Sequence, residues 1–190
     1  YAGDGGWRVG NHLHPAGSSQ APPVASGRPG YSDIGLGHWI GTINASHYFI
    51  HLGTNDFSPG RETTPEQYQV ELEALVERLR VQHEAISSTK PGFIILGLYP
   101  TESDDESVIR PRKDKARSLM IAHVQEADDV VYLDLAGHLE NIFDLSDIDV
   151  SNPFADEWLL DGVHLNPAGA EGIGAWIWSR VTAAVAARGR

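Results

Sequence analysis

The chain has 190 residues, 41 % of them hydrophobic and 21 % charged, the composition of one soluble domain that buries its own core. Fourteen Lys and Arg against 26 Asp and Glu give a formal net charge of −12, which argues against nucleic acid or an anionic membrane as a partner. There is no cysteine, which excludes disulfides, thiolate metal sites and cysteine nucleophiles, and no run approaches the ~18 apolar residues of a transmembrane helix.

Residues 1–37 are rich in Gly, Pro and Ser and read as loop within a single domain spanning 1–190. No basic-then-apolar leader opens "YAGDGGWRVG", and no initiator Met is present, so the chain reads as processed, trimmed or a fragment. "SHYFIHLG" (46–53) reads as a buried strand of aromatic and β-branched residues ended by Gly53. "TTPEQYQVELEALVERLRVQHEAIS" then predicts a helix. Thr64 is its cap, Pro65 its first residue and Gln67 the partner in a capping box. Tyr68, Leu72, Leu75, Val76, Leu79 and Ile86 fall on one apolar stripe.

"GFIILGLYP" (92–100) predicts a second buried strand, stopped by Pro100. Residues 111–127 predict a helix with Ala116, Leu119, Met120 and Val124 on one side, and "VVYLDL" (130–135) a third strand. The last helix, 166–187, has Asn166 as cap and Pro167 first, and presents Ile173, Trp176, Ile177, Val181 and Val185 to the core. Strands alternating with helices of this length imply a parallel sheet joined by crossovers and covered on both faces. Sites in such sheets gather at the carboxyl ends of the strands. No repeat and no domain linker is visible.

Two stretches carry chemistry. In "DGVHLNP" (161–167), Asp161 and His164 are three apart, a spacing at which a carboxylate in a turn reaches the imidazole. A carboxylate on one ring nitrogen fixes the tautomer and leaves the other nitrogen to act as base. Taken alone, this reads as an Asp in a turn beside a surface His. In "HLGTNDF" (51–57), Asn55 offers amide donors directly after a strand, where such a group stabilises an oxyanion. Asp56 reads as structural, bonding backbone N–H groups. Together, in an alternating α/β chain, the two stretches favour a hydrolytic site.

These motifs resemble the SGNH hydrolases, also called the GDSL esterase/lipase superfamily. "HLGTNDF" is similar to the family's asparagine block, and "LLDGVHLNPAGAEGIGAWIW" to its final block. "GRPGYSDIG" (27–35) resembles its glycine block, with Gly30 as the glycine. The likeness covers most of the chain from about residue 27, in the family's order. It implies a three-layer α/β sandwich with a short parallel sheet, of the flavodoxin-like kind. It also implies a carboxylic-ester hydrolase that needs no metal or organic cofactor. His164 would be base and then acid, Asp161 would orient it, and Asn55 and the Gly30 amide would line the oxyanion hole. The flavour of "GRPGYS" and "GGWR" leans towards the acetylxylan-esterase-like branch. That implies a small-molecule or polysaccharide ester as substrate and, by family analogy, secretion. Acyl group, alcohol and oligomeric state are left open.

One part of the pattern is missing. The family's nucleophile is a serine in an early Gly-Asp-Ser block, and this sequence contains no Gly-Asp-Ser. "AGDGGWR" (2–8) can be read with glycine where the serine belongs. It can also be read as the stretch that follows the block, which then lies upstream of Tyr1 together with a strand and part of the helical layer. The second reading is favoured, because only Tyr1 and Ala2 remain to form the strand that the first requires. Ser18, Ser19 and Ser32 read as ordinary loop serines, and His12 and His14 lack a third ligand for a metal. His51 reads as a half-buried polar residue of the strand. The competing reading is a non-catalytic member or fragment that at most binds carbohydrate.

Overall fold

The computed structural model describes residues 9, 45–58, 60–61, 63–102, 104, 108–124, 127–145 and 152–188, the last helix's residues 184, 185, 187 and 188 by backbone only. Gly30, the serines at 18, 19 and 32, the histidines at 12 and 14 and all of "AGDGGWR" lie outside them, as does the expectation for the Val185 side chain.

Three parallel strands run in the order β1 (His47–Ile50), β2 (Gly92–Leu96), β3 (Val130–Leu133). Ile50 pairs with Ile95, and Leu96 with Leu133. The crossovers are helices α1 (Pro65–Glu84) and α2 (Ile109–Val124). Stepping one strand at a time in one direction puts both crossovers on the same face. Tyr48, Ile50, Phe93, Ile95 and Val130 meet them there, with Leu72, Leu75, Val76, Ala116 and Met120. The intervening residues Ile94, Leu96, Val131 and Leu133 point the other way. They are covered by α3 (Leu135–Glu140), α4 (Pro153–Trp158) and α5 (Pro167–Arg188). The result is a short parallel sheet between two helical layers, the three-layer α/β sandwich that the resemblance implies.

Local chemistry accounts for the boundaries. The Thr64 hydroxyl accepts from the Gln67 amide at 3.1 Å, and Pro65 opens α1. Gln67 does not close a capping box: its amide donates instead to Glu71 at 2.8 Å, one turn along the exposed face. The Asn166 side chain accepts from the Gly169 amide at 2.9 Å and so caps α5. The apolar stripe of α1 ends on His83, fully buried, while Ile86 lies past the helix and is exposed.

Strand β1 departs from the sequence expectation. Only Ile50 is buried; Phe49 is 49 % exposed, and His51 falls beyond the strand. The reason is sheet order. β1 is the outer strand of the three, and the helices beneath the opposite face lie under β2 and β3. The short helices α3 and α4 were not foreseen, being too brief to show a helical period. Asp134 and Asn152 nevertheless mark their starts, accepting from the amides of Gly137 and Phe154.

Candidate active site

Both motifs stand at the carboxyl edge of the sheet. After β1 the chain enters a 3₁₀ turn, Thr54–Asp56, through Gly53 at φ 123°. A side chain at residue 53 would be strained in that backbone and would run into the ring of Tyr68. Tyr68, whose hydroxyl donates to the Leu52 carbonyl at 3.0 Å, thereby fixes where the turn begins. Asn55 is the half-buried middle residue, and its carbonyl accepts from the Ser58 hydroxyl at 3.0 Å. Asp56 is fully buried. Its carboxylate accepts from the Val9 amide at 3.1 Å, tying a residue 47 positions away to the end of β1.

The other motif is a loop closed by a bridge between Leu159 and Leu165, with the Leu160 amide donating to the His164 carbonyl at 2.7 Å. Within it, Asp161 Oδ1 accepts from the amides of His164 at 2.8 Å and Val163 at 3.2 Å. The imidazole Nδ1 of His164 lies 2.9 Å from Oδ2 and 3.1 Å from Oδ1. The His164 amide, then its imidazole, then the Val163 amide lower the Asp161 pKa from 3.8 to about 2. An ionised carboxylate can only accept, so in the neutral imidazole the proton sits on Nδ1 and Nε2 keeps its lone pair. The side chains are 76 % and 54 % exposed. An ion pair this open adds little to stability, so its effect lies in orientation more than in holding the fold.

The loop that follows β2 carries this turn. The Tyr99 hydroxyl donates to the Val163 carbonyl at 2.9 Å, and the Glu102 amide to the Gly162 carbonyl at 2.9 Å. Gly162 has φ 75°, and a Cβ there would strike the Glu102 carboxylate. The ring of Tyr99 also lies 6.2 Å from that of His51, just past β1. One buried side chain thus touches both the residue that follows β1 and the turn that carries Asp161 and His164. Burial raises the Tyr99 pKa, with the charges of Asp161 and Asp104 adding to it, so the hydroxyl keeps its proton as donor. His51 itself is exposed, not the half-buried strand residue that the sequence suggests.

Sequence reasoning did not find Tyr99, Glu102 or the pair beneath them. Lys113, on the buried face of α2, donates to both Asp104 oxygens at 2.7 and 2.8 Å and to the Tyr99 carbonyl at 3.2 Å. Asp104 in turn accepts from the Thr101 amide at 3.0 Å and hydroxyl at 2.8 Å. The available signal was the spacing Ile109, Lys113, Ala116, Met120, which places a lysine on an apolar stripe. Among the described residues no serine hydroxyl bonds to His164, and no group of three or more His, Asp or Glu is arranged to hold a metal.

Such an edge can hold a neutral imidazole in one tautomer and orientation. Asn55 stands at the same edge, in the turn that follows β1. An oriented imidazole and an amide donor are two of the three parts that acyl transfer from an ester requires. The family model described as the GDSL-like lipase/acylhydrolase family matches residues 2–171. No match was found among curated proteins or among solved structures.

Proposed function

Because the chain belongs to the GDSL-like lipase/acylhydrolase family, which supports a general ester-hydrolase function, we propose that it is the scaffold of a serine-type carboxylic-ester hydrolase that removes acetyl groups from a polysaccharide of the xylan type. In this reading His164 Nε2 takes the proton of the attacking hydroxyl and returns it to the leaving alcohol. Asp161 fixes the imidazole and stabilises its charged form. The Asn55 amide and the Gly30 backbone N–H receive the oxyanion, each donor contributing roughly 3–4 kcal/mol in the transition state. The observation that carries the reading is the Asp161–His164 pair, held on a glycine-dependent turn at the sheet edge that also bears Asn55.

The nucleophile is proposed to be a serine at the end of a Gly-Asp-Ser strand, which these 190 residues do not contain. Support comes from β1, whose outer edge has no strand beside it among the described residues and whose Phe49 is exposed. The openness of the pair, 76 % for His164, favours a substrate presented on a large molecule over one enclosed in a pocket. The absence of Gly-Asp-Ser equally favours a second reading, a non-catalytic member that at most binds carbohydrate.

The test is to join a strand ending in Gly-Asp-Ser ahead of Tyr1 and measure acetate released from acetylated xylan. Release that His164→Ala abolishes is the expected result. Cleavage of p-nitrophenyl acetate without release from xylan would retire the polysaccharide part. No hydrolysis of either, with xylan still bound, would favour the second reading.

A further inference from the structure

We infer that Tyr99 is a positioning residue for the proton-relay pair: its hydroxyl, by holding the Val163 carbonyl, sets the turn in which Asp161 meets His164. This rests on the reading of Asp161 and His164 given above and adds to it a residue from the loop that follows β2.

The geometry is specific. Val163 is the residue between the turn glycine and the histidine, and its own amide donates to Asp161. The peptide units on either side of Val163 therefore face the Asp161 carboxylate and the Tyr99 hydroxyl respectively. Rotating the turn to break one contact displaces the other. Glu102 makes a parallel contact one residue earlier, to Gly162, so the β2 loop grips two successive carbonyls of an otherwise exposed turn. Tyr99 is itself immobilised, 8 % exposed and edge-on to Phe154 at 6.4 Å. Its carbonyl is held by Lys113, whose charge is neutralised by Asp104. A rigid, buried donor fixed to the central strand thus reaches out to an exposed loop. This is how a flexible turn acquires the angular precision that proton transfer demands. A tyrosine serving only as packing would not need its hydroxyl on that carbonyl.

Tyr99→Phe keeps the ring and removes the donor. The readout is the tautomer of His164, from the ring ¹⁵N shifts of the 190-residue chain in alkaline buffer, where the imidazole is neutral. The native chain is expected to hold the proton on Nδ1, against Asp161. Tyr99→Phe is expected to raise the Nε2–H to Nδ1–H ratio about fivefold, the scale of one ordinary hydrogen bond. An unchanged ratio in a folded variant would overturn the inference. A second measurement needs no variant: the Tyr99 hydroxyl proton of the native chain should give a separate, slowly exchanging signal. Exchange as fast as that of free tyrosine would also overturn it. Neither readout requires hydrolysis, so the inference and the esterase reading stand or fall separately.

Discussion

At the scale of single residues, the turn 161–164 concentrates its constraints on Asp161 and Gly162. Asp161 has a depressed folded-state pKa, about 2 against 3.8. Its contribution is therefore present above the unfolded value and lost as pH falls through about 2. A ¹³C carboxyl titration should give a midpoint near 2. His164→Ala should raise it only partway, because the backbone amide at 164, the largest cause, remains. A midpoint restored to 3.8 would show that the imidazole alone had set it. Gly162→Ala should destabilise the chain by about 1–2 kcal/mol for the left-handed backbone, with a further cost where the new methyl meets Glu102. In a Glu102→Ala background the second cost should vanish and the first persist, read by urea unfolding.

At the scale of elements, the strongest commitment is the Lys113–Asp104 pair, with side chains 8 % and 4 % exposed. Burial lowers the lysine's pKa, while the neighbouring Asp104 opposes that shift. Removing one partner strands the other charge. Asp104→Ala or Lys113→Ala should therefore cost about 3–5 kcal/mol, whereas Lys113→Met with Asp104→Asn, which leaves no buried charge and keeps an acceptor for Thr101, should cost less than either. A thermal or urea melt of all three variants decides it. Equal losses in single and double variants would mean that the pair is not the determinant.

What the sequence made legible at this scale follows range. The caps at Thr64 and Asn166, the start of β2 and the stripe of α1 from Tyr68 to Leu79 are set by neighbours a few residues apart and read correctly, while the expected strand to Pro100 ends at Leu96 and Ile86 falls outside the helix. The exposure of Phe49 depends on where β1 stands in the sheet, which local pattern does not encode. Tyr99, Glu102 and Lys113 act through contacts 64, 60 and 9 or more positions away, and their types alone suggest a core tyrosine and two solvated charges. For the candidate site, the three-residue spacing of Asp161 and His164 announced a possible pairing. The tethers that hold their turn did not show in the sequence.

At the scale of the whole molecule, no strand lies along the outer edge of β1 among the described residues, and the ring of Phe49 is exposed. An open edge beside apolar surface templates pairing with another copy. The chain should self-associate as its concentration rises, and an added N-terminal strand should suppress this. Light scattering across a concentration series measures it; a monomer independent of concentration, with a high and reversible melt, would count against an open edge.

The central claim, that this edge is a relay and oxyanion site awaiting its serine, is tested most directly by the rate of p-nitrophenyl acetate hydrolysis. The 190-residue chain should be no faster than free imidazole at matched concentration. With a strand ending in Gly-Asp-Ser added, the rate should rise by several orders of magnitude, against the ~10⁶ lost when a serine hydrolase forfeits its nucleophile. His164→Ala should then abolish it, and Asn55→Ala should reduce it by about 10² to 10³. Strong activity in the unextended chain that survives His164→Ala would contradict the account.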